Sequence, residues 1–239
     1  LANLNHEFRT PMNSIMGYAE IIRTISFDEK ILDYSKGILS SSKRLMSTLE
    51  SILKFSEIVS NTLVLNYENL NIVEVVRNQV ENFEISAKKK NIILKFICKN
   101  DDILCNLDKV LLETVINNLI DNAIKFTNAG SVTVETSLVK LPDAFELAVI
   151  KVKDTGIGIS RKYHNLIFEE FKQISEGLGR AFEGNGLGLT IAKKLTELMD
   201  GKLNFDSAPG LGSVFSVSFP VILNKPLRDD SKVIPKDFK

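Results

Sequence analysis

The 239-residue chain is poor in several things, and each shortage excludes a class of protein. It holds two cysteines, Cys98 and Cys105, both in or near apolar segments. They match no zinc spacing and are too few to staple a secreted fold, which points to a reducing, cytoplasmic setting. No apolar run reaches the roughly 18 residues that a membrane span requires, and no signal peptide precedes "LANLNHEF", so no membrane contact is expected of this segment. Excess charge of either sign is missing too: Lys plus Arg and Asp plus Glu both count 30. No strong field therefore draws the chain to nucleic acid or to an anionic surface, and its partners must be chosen locally. Histidine is as scarce as cysteine, with His6 and His164 alone.

What is present is an ordinary globular composition, 44% hydrophobic and 25% charged, with room for one large domain or two smaller ones. The abrupt start inside a helical pattern suggests a fragment of a longer protein, whose parent could carry a sensor or a membrane anchor.

From residue 31 to 59 apolar doublets recur every seven residues: Ile31 with Leu32, Ile38 with Leu39, Leu45 with Met46, Ile52 with Leu53. Leu49 and Phe55 fill the stripe between them, which predicts a long amphipathic helix with a wide apolar seam. Residues 1–25 form a second helical segment, apolar at Leu4, Phe8, Ile15, Met16, Ala19 and Ile22, and the short link "SFDEK" joins the two as an antiparallel hairpin. Two helices cannot bury so wide a seam alone. A dimeric four-helix bundle is the economical solution, and packing onto the rest of the chain is the plainer one.

Beyond "SNT" the period changes. Strand-like runs appear at "LVLNYENL", "IILKFIC", "SVTVETSLV", "FELAVIKVKD", "KLNFDS" and "SVFSVSFP", with helical runs near 71–87, 108–126 and 187–200. That alternation predicts a mixed sheet covered by helices, a two-layer α/β sandwich. The boundaries read as a hairpin over 1–60, a linker over 61–67, an α/β domain over 68–222 and a polar tail or linker over 223–239.

Glycine-bearing segments punctuate the α/β part: "DTGIGI" at 154–159, "GNGLGL" at 184–189 and "GLGS" at 210–213. A glycine more often serves a turn than a ligand, but the first segment follows a predicted strand and the second opens a helix. There, free backbone N–H groups and the helix dipole suit a phosphate. The segment "INNLIDNAIKFT" places Asn118, Asn122 and Lys125 on one helical face among Ile116, Leu119, Ile120 and Ile124. Amide oxygens and an ammonium aimed at one spot suit a magnesium triphosphate.

Taken in order, "HEFRTP", "NLIDNAIKFT", "DTGIGI", "IFEEF" and "GNGLGL" resemble the H, N, G1, F and G2 boxes of the sensor histidine kinases of two-component systems, over about residues 1–222. The resemblance implies a HisKA-type dimerisation and phosphotransfer hairpin followed by a catalytic domain of the Bergerat ATP-binding fold. It makes His6 the phosphoacceptor and Glu7 the acid that orients and deprotonates its imidazole. Thr10 becomes the residue that orients water in a phosphatase reaction on a partner response regulator, against the plain reading of a helix-surface threonine. Asn122 would coordinate Mg²⁺, Asn118 would face the same ion and the phosphates, Lys125 would neutralise phosphate charge, and Phe126 would line the base pocket. Asp154 matches the carboxylate that accepts a hydrogen bond from the adenine amino group, with Gly156 and Gly158 admitting the base closely. Gly184, Gly186, Leu187 and Gly188 would hinge a lid and cradle phosphates, and Arg180 would reach the γ-phosphate, against the plain reading of a solvated lid charge.

The segment 160–183 is too long for a tight connection, which suits a mobile lid anchored by Phe168 and Phe171, and His164 within it has no catalytic role. Ser213 and Asn185 stand where the family more often has threonine. Ser213 keeps a hydroxyl that could bind near Asp154.

The activity implied is ATP-dependent autophosphorylation of His6 and transfer of the phosphoryl group to an aspartate of a response regulator receiver domain, by a homodimer using ATP and Mg²⁺. An ATPase of the same nucleotide fold is the enzymatic alternative, but those enzymes carry a glutamate where this chain has Asn118. A degenerate dimeric scaffold is the other, and would be expected to have lost His6, Asn122, Asp154 or the glycines. Pro11, lacking an N–H, should loosen or kink the first helix one turn beyond His6.

Overall fold

The computed structural model of the protein describes residues 2–60, 62–141, 146–172 and 186–222, with residues 2–7 described by their backbone alone. Two long helices come first, α1 (Ala2–Ile25) and α2 (Glu29–Val59). Asp28 starts α2, its carboxylate accepting from the backbone N–H of Lys30 at 2.8 Å and of Ile31 at 3.3 Å, which satisfies two of the donors that a helix start leaves open. The helices form an antiparallel hairpin. Arg9 pairs with Glu50 at 3.1 Å near the open end, and the buried Ser35 hydroxyl donates to the carbonyl of Ala19 nearer the turn.

Pro11 does not interrupt α1, which continues through it to Ile25. One missing amide removes a single rung of the ladder, and the buried Met12 and Ala19 anchor the helix beyond it.

The heptad doublets split by face. Leu32, Leu39, Met46 and Leu53 are buried or half-buried, whereas Ile31, Ile38, Leu45 and Ile52 stay exposed. Phe8, Ile15 and Ile22, also seven apart, are exposed on α1. Within one chain the seam is therefore only half used.

The remainder is the expected two-layer α/β sandwich. In chain order come β1 (Tyr67–Asn71), α3 (Ile72–Lys89), β2 (Ile92–Cys98), β3 (Leu104–Asp108), α4 (Lys109–Phe126), β4 (Gly130–Lys140), β5 (Glu146–Asp154), α5 (Gly188–Leu198), β6 (Lys202–Ala208) and β7 (Gly212–Pro220). A five-stranded sheet has the order β2-β4-β5-β7-β6; β2 runs parallel to β4 and every other pair is antiparallel. The sheet is mixed, as the alternation of elements predicted. Alternate residues point inward: Val132 and Val134 from β4, Ala148, Ile150 and Val152 from β5, Phe215, Val217 and Phe219 from β7. They form one core with Leu112, Val115, Ile116, Leu119 and Ile120 of α4 and Ile191, Ala192 and Leu195 of α5.

Two details depart from the sequence pattern. "LVLNYENL" is a strand only from Tyr67 on, because the N–H of Asn66 donates to the Asp108 carboxylate at 2.9 Å instead of joining a ladder. It pairs with β3, a five-residue strand too short for its alternation to stand out, and the two make a separate small sheet. The end of α2 also enters the α/β core: Ile58 is buried in it, and Phe55, Leu63 and Leu65 pack against it. Among the described residues no helix is long and apolar enough to cross a membrane.

Candidate functional site

Helix α4 carries the asparagines. Asp108 caps it, accepting from the N–H of Leu111 at 3.0 Å, and its apolar side is buried in the core. Asn118 and Asn122 remain half-buried on the flank that looks toward α5. The Asn118 amide donates to the Thr114 carbonyl at 2.8 Å, which leaves its oxygen turned toward the start of α5. A Cβ added at Gly188 would lie 2.8 Å from that oxygen and 3.7 Å from Nδ2 of Asn122. Glycine at this position is what lets the N-terminus of α5 approach the asparagines. Leu187, wholly buried at the N-cap position, offers no side-chain acceptor to the first turn of α5. Free N–H groups facing the Asn118 amide oxygen, with the Asn122 amide beside it, fit an anion bridged by a hard cation, so the donor set suits Mg²⁺ with phosphate.

Asp154 ends β5 and is only 4% exposed. Its Oδ1 accepts from the N–H of Gly156 at 2.8 Å and of Ser213 at 3.2 Å. Burial pushes its carboxyl above the usual range; these two N–H groups and the Ser213 hydroxyl pull the other way. A Cβ on Gly156 would lie 2.4 Å from the Phe126 carbonyl oxygen and 2.9 Å from Asp154 Oδ1. The loop after β5 thus lies directly on the end of α4, where the N–H of Ile157 donates to the Phe126 carbonyl at 3.2 Å. Gly158, at φ 67°, faces the Ala208 carbonyl so closely that a Cβ would come within 1.9 Å of its oxygen. Lys125 holds its ammonium 5.0 Å from the Phe126 ring centre.

The described residues fall into two adjoining groups. Asn118, Asn122 and Gly188 make one; Phe126, Asp154, Gly156 and Ser213 make the other, with Gly158 beside them. Gly186, at φ 69°, leads into α5, where a Cβ would stand 2.8 Å from the Lys172 carbonyl oxygen. Arg180 and Gly184 lie outside the described residues, as does the part of the expected lid from 173 to 183. The side chains of His6 and Glu7 also lie outside them, although both residues belong to α1. Thr10 is exposed on α1, and its carbonyl accepts from Ser14 Oγ at 3.2 Å. His164 is a packing residue: its Nε2 is 3.2 Å from the Ile159 carbonyl oxygen, and its ring meets Phe205 edge to face at 4.9 Å. Phe168 packs on the same Phe205 ring, whereas Phe171 meets Phe55 of α2 at 6.2 Å.

Three residues that hold this arrangement escaped the sequence reading. Asp108 ties residue 66 and the start of α4 to one carboxylate, and its place immediately before an apolar helical run was the available signal. Ser207 accepts from the N–H of Ile159 at 2.8 Å, donates to the Gly212 carbonyl at 2.9 Å and lies 3.0 Å from Ser213 Oγ, so one hydroxyl links two glycine loops. Lys90 sits in a run of three lysines that looks like a solvated helix end.

Residues 1–61 match the family model described as His Kinase A (phospho-acceptor) domain, and residues 107–223 match that of the histidine kinase-, DNA gyrase B-, and HSP90-like ATPase. Among curated proteins, the chain is similar to the sensor histidine kinase GacS of Pseudomonas protegens, 34% identical over 98% of this chain and 25% of that protein. It is also similar to the sensor histidine kinase RcsC of Escherichia coli, 34% identical over 92% of this chain and 23% of that one. Among solved structures, full-length ShkA in complex with AMPPNP superposes with a TM-score of 0.75 at 27% identity, over 92% of this chain and 45% of that one. The chain thus spans about a quarter of the length of these curated relatives.

Proposed function

We propose, for a chain that belongs to the sensor histidine kinases of two-component systems, that it is the kinase core: it binds ATP in the α/β domain and phosphorylates His6 of the hairpin. The observation that carries this reading is the approach of Gly188 to Asn118 and Asn122, which brings the Asn118 amide oxygen, the Asn122 amide and the open N-terminus of a helix to one space beside the Asp154 loop.

In this reading residues 1–60 dimerise and carry the phosphoacceptor, 61–67 link, and 68–222 bind the nucleotide. Asp154 accepts from the adenine amino group, Phe126 lines the base, and Gly156 and Gly158 admit it closely. Asn118, Lys125, Arg180 and the stretch from Gly184 to Gly188 surround the phosphates. Asn122 would hold Mg²⁺, which supplies neutralisation of triphosphate charge. Phosphoryl transfer asks the protein mainly for positioning and charge compensation. An unprotonated ring nitrogen of His6 bonds to the γ-phosphorus, the bond from that phosphorus to the β,γ-bridging oxygen breaks, and ADP leaves with that electron pair. Glu7 takes the proton from the other ring nitrogen. The phosphoryl group then passes to a receiver-domain aspartate, and Thr10 orients the water that later removes it there. The heptad-spaced exposed stripes on α1 and α2 support a homodimer as the working unit.

The test is labelling from γ-labelled ATP. Asn122→Asp protein is expected to lose label incorporation, by about 100-fold or more given the cost of misplacing transition-state charge, while remaining dimeric. Full labelling of that variant would contradict the site.

A further inference from the structure

Helix α4 ends without a glycine cap. Thr127, which follows it, is extended at φ −99° and ψ 119°, so the reversed bonds of a Schellman turn are not made. The last four carbonyls of the helix nevertheless all have partners. Ala123 O receives the Thr127 hydroxyl at 2.7 Å, and Phe126 O receives the N–H of Ile157 at 3.2 Å. The two between them, on Ile124 and Lys125, receive the ammonium of Lys90 at 2.8 and 2.9 Å, and this ammonium is also 3.4 Å from the Thr127 carbonyl oxygen.

Lys90 is held in place to do this. It is the C-cap of α3, its N–H donating to Ala87 O at 3.1 Å, and Asn91 at φ 55° turns the chain sharply into β2. The carboxyl ends of α3 and α4 therefore converge, and the Lys90 ammonium meets the negative end of the α4 dipole.

We propose that Lys90 is a positioning residue for the nucleotide, holding the last turn of α4 in register with the loop 154–158 so that Asn122, Lys125, Phe126 and Asp154 meet one ligand. This rests on the nucleotide site proposed above. The turn that Lys90 clamps carries Lys125 and Phe126 and follows directly on Asn122. The contact it protects is tight, because Gly156 has no room for even a methyl group against the Phe126 carbonyl. If the turn frays, Phe126 shifts against the backbone that holds Asp154, and the base and phosphate ends of the site lose their spacing.

The experiment compares Lys90→Met and Lys90→Arg in the full chain, reading ATP KM and kcat from labelling and AMPPNP affinity from calorimetry. Lys90→Met is expected to raise ATP KM and AMPPNP Kd about fivefold with kcat at saturating ATP within about twofold, the pattern of lost binding, and Lys90→Arg to restore both to within about twofold. Ile103→Val, a trim in the buried core, serves as the stability control and should lower the melting temperature while leaving both constants unmoved. Unchanged constants in Lys90→Met, an equal rise in Ile103→Val, or no restoration by arginine would each overturn the proposal. Should Lys90→Met not fold, Lys90→Gln, which keeps a neutral donor, takes its place with the same expected rise. If the wild-type chain took no label on His6, the kinase reading would fail, and the AMPPNP affinities alone would still decide the role of Lys90.

Discussion

At Asp154, burial and hydrogen bonding oppose each other, and burial is the larger effect, so the carboxyl titrates above its ordinary range. A carboxyl whose folded pKa is raised favours folding when protonated, and that contribution is lost as pH rises from the unfolded value through the folded one. Ligand binding in the proposed site has the opposite sign, since an adenine amino group there would need the charged acceptor. AMPPNP affinity should therefore weaken on acidification from neutral pH, over a range that lies above the one in which ordinary surface carboxylates protonate. Asp154→Asn should weaken it about 100-fold at neutral pH and abolish that acid limb, because an acceptor is replaced by a donor facing a donor. Calorimetric titrations of both proteins across that range check this, and unchanged affinity in Asp154→Asn would remove the residue from the base pocket. Much at this scale was legible in the sequence. Asp154, Gly156 and Gly158 lie within one short motif, and Asn118 and Asn122 are one helical turn apart. The link from Ser207 to Ile159 and the clamp by Lys90 were not legible, because they span 48 and up to 37 residues and no local spacing encodes such contacts. The buried Cys105 needed no partner to explain it: burial pushes its thiol up to about 12, as befits an inert core residue.

Among the elements, the hairpin was the clearest in sequence, because a seven-residue repeat sustained over four doublets has no other economical explanation. The same repeat leaves Ile31, Ile38, Leu45 and Ile52 exposed in the single chain, in line with Phe8, Ile15 and Ile22 by spacing. A charge placed in this row should spare the chain's own fold and break its pairing. Leu45→Lys, at a side chain already 57% exposed, is expected to raise the dimer dissociation constant at least about tenfold, read by sedimentation, because two buried ammonium groups would face a desolvation cost without partners. A dimer of unchanged strength would move the interface elsewhere. The strands were legible wherever five or more residues alternated. β3 was hidden because it is short and lies between a polar loop and a capping aspartate. Pro11 was read as loosening or kinking the first helix, and it lies within one continuous α1.

At the scale of the whole molecule, two modules that look separable in sequence share packing. Helix α2 carries Ile58 into the α/β core, while Lys194 of α5 holds its ammonium 5.3 Å from the ring centre of Phe55. Phe171, which meets that ring edge to face, belongs to the segment expected to form the lid. The helix that pairs with the His6-bearing α1 thus ends against the domain proposed to hold ATP. No composition or period predicts that docking, which depends on three-dimensional complementarity between distant segments. In the proposed function this assembly moves a phosphoryl group from ATP to one histidine. Incubating the wild-type chain and its His6→Gln variant with γ-labelled ATP tests it most directly. Label on the wild-type chain, stable to base and lost in acid, with none on His6→Gln, is the predicted result; label of equal amount on His6→Gln would contradict it.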